Sequence, residues 1–470
     1  MKVLIAILCF FIFTKIFLFW VWLWQLKEYH LKRFKAHFET QKLRKFLFSF
    51  YGFRYPKITL KTTFIILFGL VFEVFIIWEI LFKNDSQVQI KPGIIILILG
   101  FIIFAPLFFS LLILVFQVFA YIMRRVVLKR ARLKREKFKN LIVIGITGSY
   151  GKSSTKEFLA TILSEKFNVL KTPKNNNAEI GIAKTILNDL TFEHQIFVAE
   201  IGAYERGKIK EVCQMLKPNI GILTGINEQH LSTFGSLENI KEAKFELIKF
   251  LPKSEWAFTF ESIKNITEGE MVISKDNLIL NAKEIKVEKE FFSFNINGVN
   301  FRLNLLGKHN INNILLAILC ANKLKMSLEE ISAACLKIKP EQGGMRILKK
   351  FPTIIDSSYS ANPNSVISHL EYLKLYKGKK VIIMPCLIEL GYLGRNIHKK
   401  IGEKIAQICD LGIITTKDYF KEIKNNNENI LLLEKTKEII YKIKEFKGED
   451  DVILLEGRVP KDLVKLLAKI

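Results

Sequence analysis

Four kinds of residue in this chain have the types and spacing for phosphate chemistry. The first is the loop GSYGKSS, residues 148–154, set between the apolar run LIVIGI and the amphipathic stretch STKEFLATILSEKF. Gly148 and Gly151 let backbone N–H groups of the loop approach phosphate oxygens, and a following helix N-terminus adds a favourable dipole. In such a loop Ser149 belongs to the cradle, Lys152 reaches the β- and γ-phosphates of a nucleotide, and Ser153 or Ser154 touches Mg²⁺. The spacing departs from the strict GxxxxGK[ST], because residue 146 is isoleucine; it reads GxTGxxGK[ST][ST]. Taken alone, the loop is also compatible with an ordinary strand–turn–helix.

The second is Glu200, which closes the strand QIFVAE at the carboxyl end, where parallel sheets bind ligands. A carboxylate facing a phosphate loop suits Mg²⁺. The third is His230, in the loop after the strand NIGILT, able to complete a metal site or to stay a hydrogen-bonded loop histidine. The fourth is Lys244, which by itself reads as a surface lysine on a helix. Further on, Asn310 and Asn313 lie three apart on a helix and so share a face.

These residues need an α/β scaffold. From about residue 140 the sequence alternates short apolar strands, helical stretches and Gly/Asn punctuation. An ATP-binding domain is expected over 140–338, with a β-rich insertion at 254–306. A small doubly wound C-terminal domain is expected over 340–470, its strands being KKVIIMP, DLGIITT, ENILLLE and DVILLEG. The part before 140 differs in kind. Three stretches, about 3–25, 62–82 and 93–122, are apolar over the length a bilayer requires, giving an all-α membrane domain of three helices over 1–123. Residues 26–61 carry ten Lys/Arg against two acids, 124–139 nine against one, and 83–92 only two against one. The two basic segments therefore face the cytoplasm, the N-terminus lies outside, and the catalytic domains lie inside a multi-pass protein of the cell membrane. Residues 124–139 read as a basic juxtamembrane linker that would attract anionic lipid headgroups. The net charge of +26 is thus a topology signal, and no nucleic acid is expected. Six scattered cysteines without a CxxC pair argue against a disulfide framework or a zinc site.

The loop GITGSYGKSSTKEF resembles the ATP-binding loop of the Mur ligase family, enzymes that join an amino acid or dipeptide to a cell-wall precursor peptide. Other blocks follow in that family's order: KTPKNNNAEIGIAKTIL, VAEIGAYERGKI, QHLSTFGSLENIKEAKFEL, LLGKHNINNILLAI, DSSYSANPNSV and IELGYLGRNIH. The last two point to the branch that adds D-alanyl-D-alanine. The resemblance implies ATP and Mg²⁺ as cofactors, with a precursor peptide and a D-amino-acid dipeptide as partners. It implies Lys152, His230 and Lys244 as catalytic, Lys244 becoming carbamylated, and Ser153, Glu200, His230 and Lys244 around metal. It places Asn310, Asn313 and Asp356 on the nucleotide, and Tyr359, Asn362 and His398 near substrate. Gly344 stands where the family has a phosphate-contacting arginine, and Arg346 is the candidate replacement. Before the family's glutamate–leucine–glycine block stand Pro385 and Cys386, and the membrane stretches occupy the place of a UDP-sugar-binding domain. The expected activity is a membrane-anchored, ADP-forming peptide ligase. A lipid-linked or different acceptor, or an inactive nucleotide-binding scaffold, are its alternatives.

Overall fold

The computed structural model describes residues 2–26, 29, 34, 55–82, 92–173, 176–252, 256–259, 271–273, 282–359 and 361–467. The chain divides into two compact units, Met1–Val127 and Leu128–Ile470.

In the first unit, helices Lys2–Leu26 and Leu60–Phe82 pack together, followed by Pro92–Glu136. Phe17, Trp20, Trp24, Ile65 and Ile113 form its buried centre. The Trp24 indole donates to Ser110 Oγ at 3.0 Å, and Thr14 Oγ1 donates to the buried Glu73 at 3.0 Å. Large apolar side chains face outward along all three helices, among them Leu8, Phe11, Val71, Phe75, Leu107 and Val118. Among the described residues two helical stretches are long and apolar enough to cross a membrane, Ala6–Leu26 and Ser110–Glu136.

The stretch expected to be a linker is helical through Glu136. Its Leu, Lys, Arg and Ala residues are good helix formers with no Gly or Pro among them, and Arg132 and Glu136 pair one turn apart at 3.0 Å. Within the second unit this helix end is anchored. Buried Arg135 donates to the carbonyls of Leu216, Phe138 and Lys217, capping the C-terminus of helix Lys208–Leu216, where a cation is favoured.

The rest of the second unit is α/β. Its first sheet is built from β1 (Ile142–Thr147), β2 (Val169–Lys171), β3 (Ile196–Glu200), β4 (Ile220–Leu223), β5 (Trp256–Thr259) and β6 (Met271–Ile273), all parallel, in the order β2-β3-β1-β4-β5-β6. Ile146 lies opposite Glu200, and Thr147 opposite Leu223, so the loops leaving β1, β3 and β4 share one edge. Helices Lys152–Leu163 and Asn310–Lys323 pack on each other and supply much of the apolar core. The expected insertion is split. Residues 256–259 and 271–273 extend the main sheet, and β7 (Lys283–Val287), β8 (Phe292–Ile296) and β9 (Val299–Leu303) form a separate antiparallel sheet. The buried rings of Phe294 and Phe301 stack at 5.3 Å across that sheet.

The second large sheet contains β10 (Arg346–Lys350), β11 (Thr353–Ser357), β12 (Lys380–Met384), β13 (Leu411–Ile414), β14 (Ile430–Leu432) and β15 (Val452–Glu456), in the order β10-β11-β15-β12-β13-β14. Only the β10–β11 pair is antiparallel. Apolar clusters cover both faces, as the near-continuous hydrophobic runs of parallel strands demand. The Asn362 carboxamide starts helix Pro363–Leu373, accepting from the N–H groups of Asn364 and Ser365.

Candidate active site

The glycine loop turns as its sequence requires. Gly148 and Gly151 have φ of 147° and 76°, a region that side-chain-bearing residues rarely adopt. A Cβ on Gly151 would collide with Asn313 Oδ1, and one on Gly148 with Thr224 Oγ1. The helix begins at Lys152 with Gly151 as its cap. Lys152 Nζ curls into the loop, donating to the carbonyls of Gly148 at 2.7 Å and Ser149 at 3.2 Å. Burial pushes its ammonium below the usual lysine range, offset by the charge of Glu200. Ser149 N–H donates to the Gly225 carbonyl and Thr224 Oγ1 to that of Tyr150, tying the loop to the segment after β4.

Glu200 stands beside it. Ser153 Oγ donates to Glu200 Oε2 at 3.0 Å, and Asn177 Nδ2 donates to Oε1 at 3.0 Å. Ser154 lies in the same first helical turn as Ser153. Lys156, fully buried one turn beyond Lys152, places Nζ 3.3 Å from Glu200 Oε2 and 3.3 Å from Glu157 Oε1. The sequence reading missed Lys156 and Asn177. The i, i+4 spacing of the two lysines was the available signal for the first.

Lys244 is not a surface lysine. It is buried on helix Leu237–Phe250, its Nζ 3.4 Å from the Ala203 carbonyl. Burial, then the nearby positive Lys152, brings its pKa down to about 7. His230 lies between the two domains. Its Nδ1 is 2.6 Å from Glu389 Oε2, and its ring meets Tyr204 edge-on at 4.8 Å. Burial lowers its pKa against the pull of Glu389, and Lys244 and Lys152 lower it further.

A nucleotide and a hard divalent cation fit these residues. The glycine cradle would not admit side chains, and Lys152 is already wrapped by the carbonyls that hold it. The Ser153 hydroxyl and Glu200 carboxylate converge as oxygen donors of the kind Mg²⁺ takes, one or two from protein with phosphates and water completing the shell. No cluster of three or more His, Cys, Asp or Glu able to hold a metal occurs among the described residues.

The C-terminal candidates divide. Asn362 Oδ1 and Asn364 Oδ1 both accept from Asn227 Nδ2 at 2.9 Å, a second bridge across the domains. Half-exposed Tyr359 lies within electrostatic reach of Glu200, its phenol pushed up by burial and by that carboxylate. Asp356 accepts from Arg346 Nε and Nη2 at 3.0 and 2.9 Å and from the N–H of Ser358. Burial would raise its carboxyl, but the Ser358 and Arg346 hydrogen bonds carry it below the usual range. Gly344 has φ of 87°, a backbone an arginine would not readily take, and Arg346 sits two residues on at the start of β10.

One expectation is corrected, and the two helix asparagines are located. His398 does not face substrate: it is fully buried, its Nδ1 donating to the Gly394 carbonyl at 2.6 Å and its Nε2 accepting from Leu387 N–H at 2.9 Å. Stacked on Tyr419 at 4.3 Å, it joins helix Gly394–Ile408 to the loop after β12. Asn310 is buried with its amide donating to the Gly343 carbonyl at 2.9 Å, so it braces the domain junction. Asn313, also buried, supports Gly151 from beneath. Among the described cysteines Cys213, Cys320, Cys335, Cys386 and Cys409 are free and buried.

Residues 146–321 match the model of the Mur ligase middle domain, and residues 345–459 that of the Mur ligase glutamate ligase domain. The chain carries the middle and C-terminal domains of the Mur ligases. Its relatives include UDP-N-acetylmuramoyl-tripeptide–D-alanyl-D-alanine ligases. That of Synechocystis is 29% identical over 58% of this chain and 61% of its own length, that of Buchnera aphidicola 32% over 57% and 61%. The Bacillus subtilis enzyme is 27% identical over 69% and 76%. This chain thus matches about three fifths of the length of the first two. Among solved Mur ligases, MurF from Acinetobacter baumannii superposes with a TM-score of 0.69 at 25% identity, over 74% of this chain and 81% of that one. MurF from Thermotoga maritima, solved with ADP, gives 0.66 at 26% identity over 74% and 83%. The two matched domains hold Lys152, Ser153, Glu200, His230, Lys244, Asp356 and Asn362.

Proposed function

We propose that this Mur ligase is an ATP-dependent, ADP-forming peptide ligase of the MurF kind, adding a D-alanyl-D-alanine dipeptide to a muramoyl peptide in peptidoglycan synthesis. One observation carries the reading: Lys152, Ser153, Glu200, His230 and Lys244 gather at the carboxyl edge of one parallel sheet, beside a second domain that reaches them. The acceptor carboxylate attacks the ATP γ-phosphorus, giving an acyl phosphate and ADP. The dipeptide amine then attacks the acyl carbon, phosphate leaves, and one proton is released from nitrogen. Lys152 offsets charge growing on the transferred phosphoryl group, once the nucleotide draws it from the loop carbonyls. A Mg²⁺ held by Ser153 and Glu200 would supply further charge neutralisation. Lys244, with its amine close to neutrality at pH 7, is chemically suited to react with CO₂ and become an anionic carbamate. Asn227, Asn362 and Asn364 hold the domains together, which excludes water from the acyl phosphate.

The apolar helices favour a finer reading, a membrane-anchored ligase whose acceptor is carried on lipid. Its support is the outward apolar side chains of the first unit and the Lys/Arg bias of 26–61 and 124–139. The test is phosphate release by detergent-purified protein with ATP, Mg²⁺ and D-alanyl-D-alanine, offered UDP-linked and lipid-linked precursor peptides separately. Release with the lipid-linked peptide alone is the expected result for the finer reading. Release with the UDP-linked peptide alone leaves a tethered MurF-type enzyme, and release with neither removes the ligase reading.

A further inference from the structure

We infer that Glu389, in the C-terminal domain, is a positioning residue for His230, so that the imidazole is aimed at a divalent cation only while the two domains are together. The inference rests on the ligase reading for the presence of that cation. Glu389 lies in the loop after β12 with its side chain 9% exposed, and its Oε2 is 2.6 Å from His230 Nδ1. A carboxylate only accepts, so Nδ1 carries the hydrogen and the Nε2 lone pair is released for a ligand. Nε2 makes no hydrogen bond among the described residues. This is the arrangement by which a carboxylate fixes the tautomer and orientation of a metal-binding histidine.

Two further observations point the same way. His230 and Glu389 both have left-handed backbones, φ 67° and 65°, and neither is a glycine. Strain of that sort persists only where the surroundings enforce it, and here it faces itself across a domain boundary. The backbone closes the same contact, Ser232 N–H donating to the Glu389 carbonyl at 3.2 Å. The neighbouring Asn227 bridges to Asn362 and Asn364 show that the two domains meet at more than this pair.

The experiment is titration of Mn²⁺ into the full-length, detergent-purified protein saturated with ADP, followed by the electron paramagnetic resonance of free Mn²⁺. No acceptor peptide is present, so its result does not depend on ligation. In E389A we expect Mn²⁺ affinity to fall by about 10-fold or more, with ADP affinity in chelator unchanged. E389Q, whose carbonyl oxygen accepts the same hydrogen bond, should recover most of the loss. In an H230A background E389A should add nothing. Mn²⁺ affinity within about twofold of wild type in E389A would overturn the inference, because the typical effect of losing such a partner is far larger. So would an equal loss with and without His230, which would make Glu389 a ligand in its own right. Failure of ligation alongside the expected Mn²⁺ pattern would count against the ligase reading alone.

Discussion

The carboxyl edges of the two large sheets were both expected to carry chemistry, and they differ. At the edge of the first sheet, Lys152, Ser153, Glu200 and Lys244 turn their polar atoms toward one another or toward loop carbonyls. At the edge of the second, His398 has given both ring nitrogens to its own domain, and Asp356 is held by Arg346 and Ser358. The first edge concentrates charge that a ligand would relieve. The second presents mostly satisfied groups and contributes Glu389, Asn362 and Asn364 across the boundary. A motif residue is therefore a better guide to chemistry where buried charges are gathered at one loop edge than where a neighbouring turn already uses its polar atoms.

The sharpest way to break this contrast is Lys152→Ala. Loss of a cation aimed at the transferred phosphoryl group should lower kcat/KM by about 10³-fold, roughly 4 kcal/mol of transition-state stabilisation. Its thermal midpoint should hold, since the loop is tied independently through Thr224 and Gly225. Phosphate-release kinetics beside a melting curve read both. Activity within tenfold of wild type would leave the first edge without its claim to chemistry.

In the second domain the expected effect is on stability. His369 Nδ1 and Glu456 Oε2 pair at 2.6 Å, with Glu456 fully buried. Glu456→Ala leaves His369 Nδ1 only the longer 3.3 Å contact to Ser357 Oγ, and loss of the buried carboxylate acceptor should cost about 2–3 kcal/mol in denaturant unfolding. His398→Ala strands the Leu387 N–H, costing about 1–3 kcal/mol, while kcat/KM per folded molecule stays within about twofold. A collapse of kcat/KM in a stable His398→Ala protein would return that residue to the substrate site.

Much of this was legible in the sequence. The strand–loop–helix around Lys152, the strand-end position of Glu200 and the parallel strands of the second domain follow from apolar runs and glycine punctuation. The burial of Lys244 was not, because a helix of sequence LENIKEAKFELIKF offers several lysines and only packing selects the one turned inward. Glu389 escaped for a related reason: its partner lies 159 residues away, and no local pattern encodes that distance. Asn310 and Asn313 were rightly placed on one face, but spacing does not say whether a face meets ligand or backbone.

The smallest effect concerns acid stability at the boundary itself. His309 is part-buried edge-on to His369 at 4.6 Å, and the Nδ1 of that second ring is bonded to Glu456. Burial, then the neighbouring His369, drops its pKa to about 3 from an ordinary 6.5. Between those values the unfolded chain binds a proton that the folded chain refuses, so stability rises with pH from 3 to 6.5 and is indifferent to this group above. His309→Gln should remove that component and flatten the acid limb between pH 5 and 6.5, where most carboxylates are already ionised. The readout is the difference between wild-type and variant unfolding free energies across that window. Parallel curves would move the acid sensitivity of the boundary away from His309 and leave the domains joined chiefly through the His230–Glu389 and asparagine contacts.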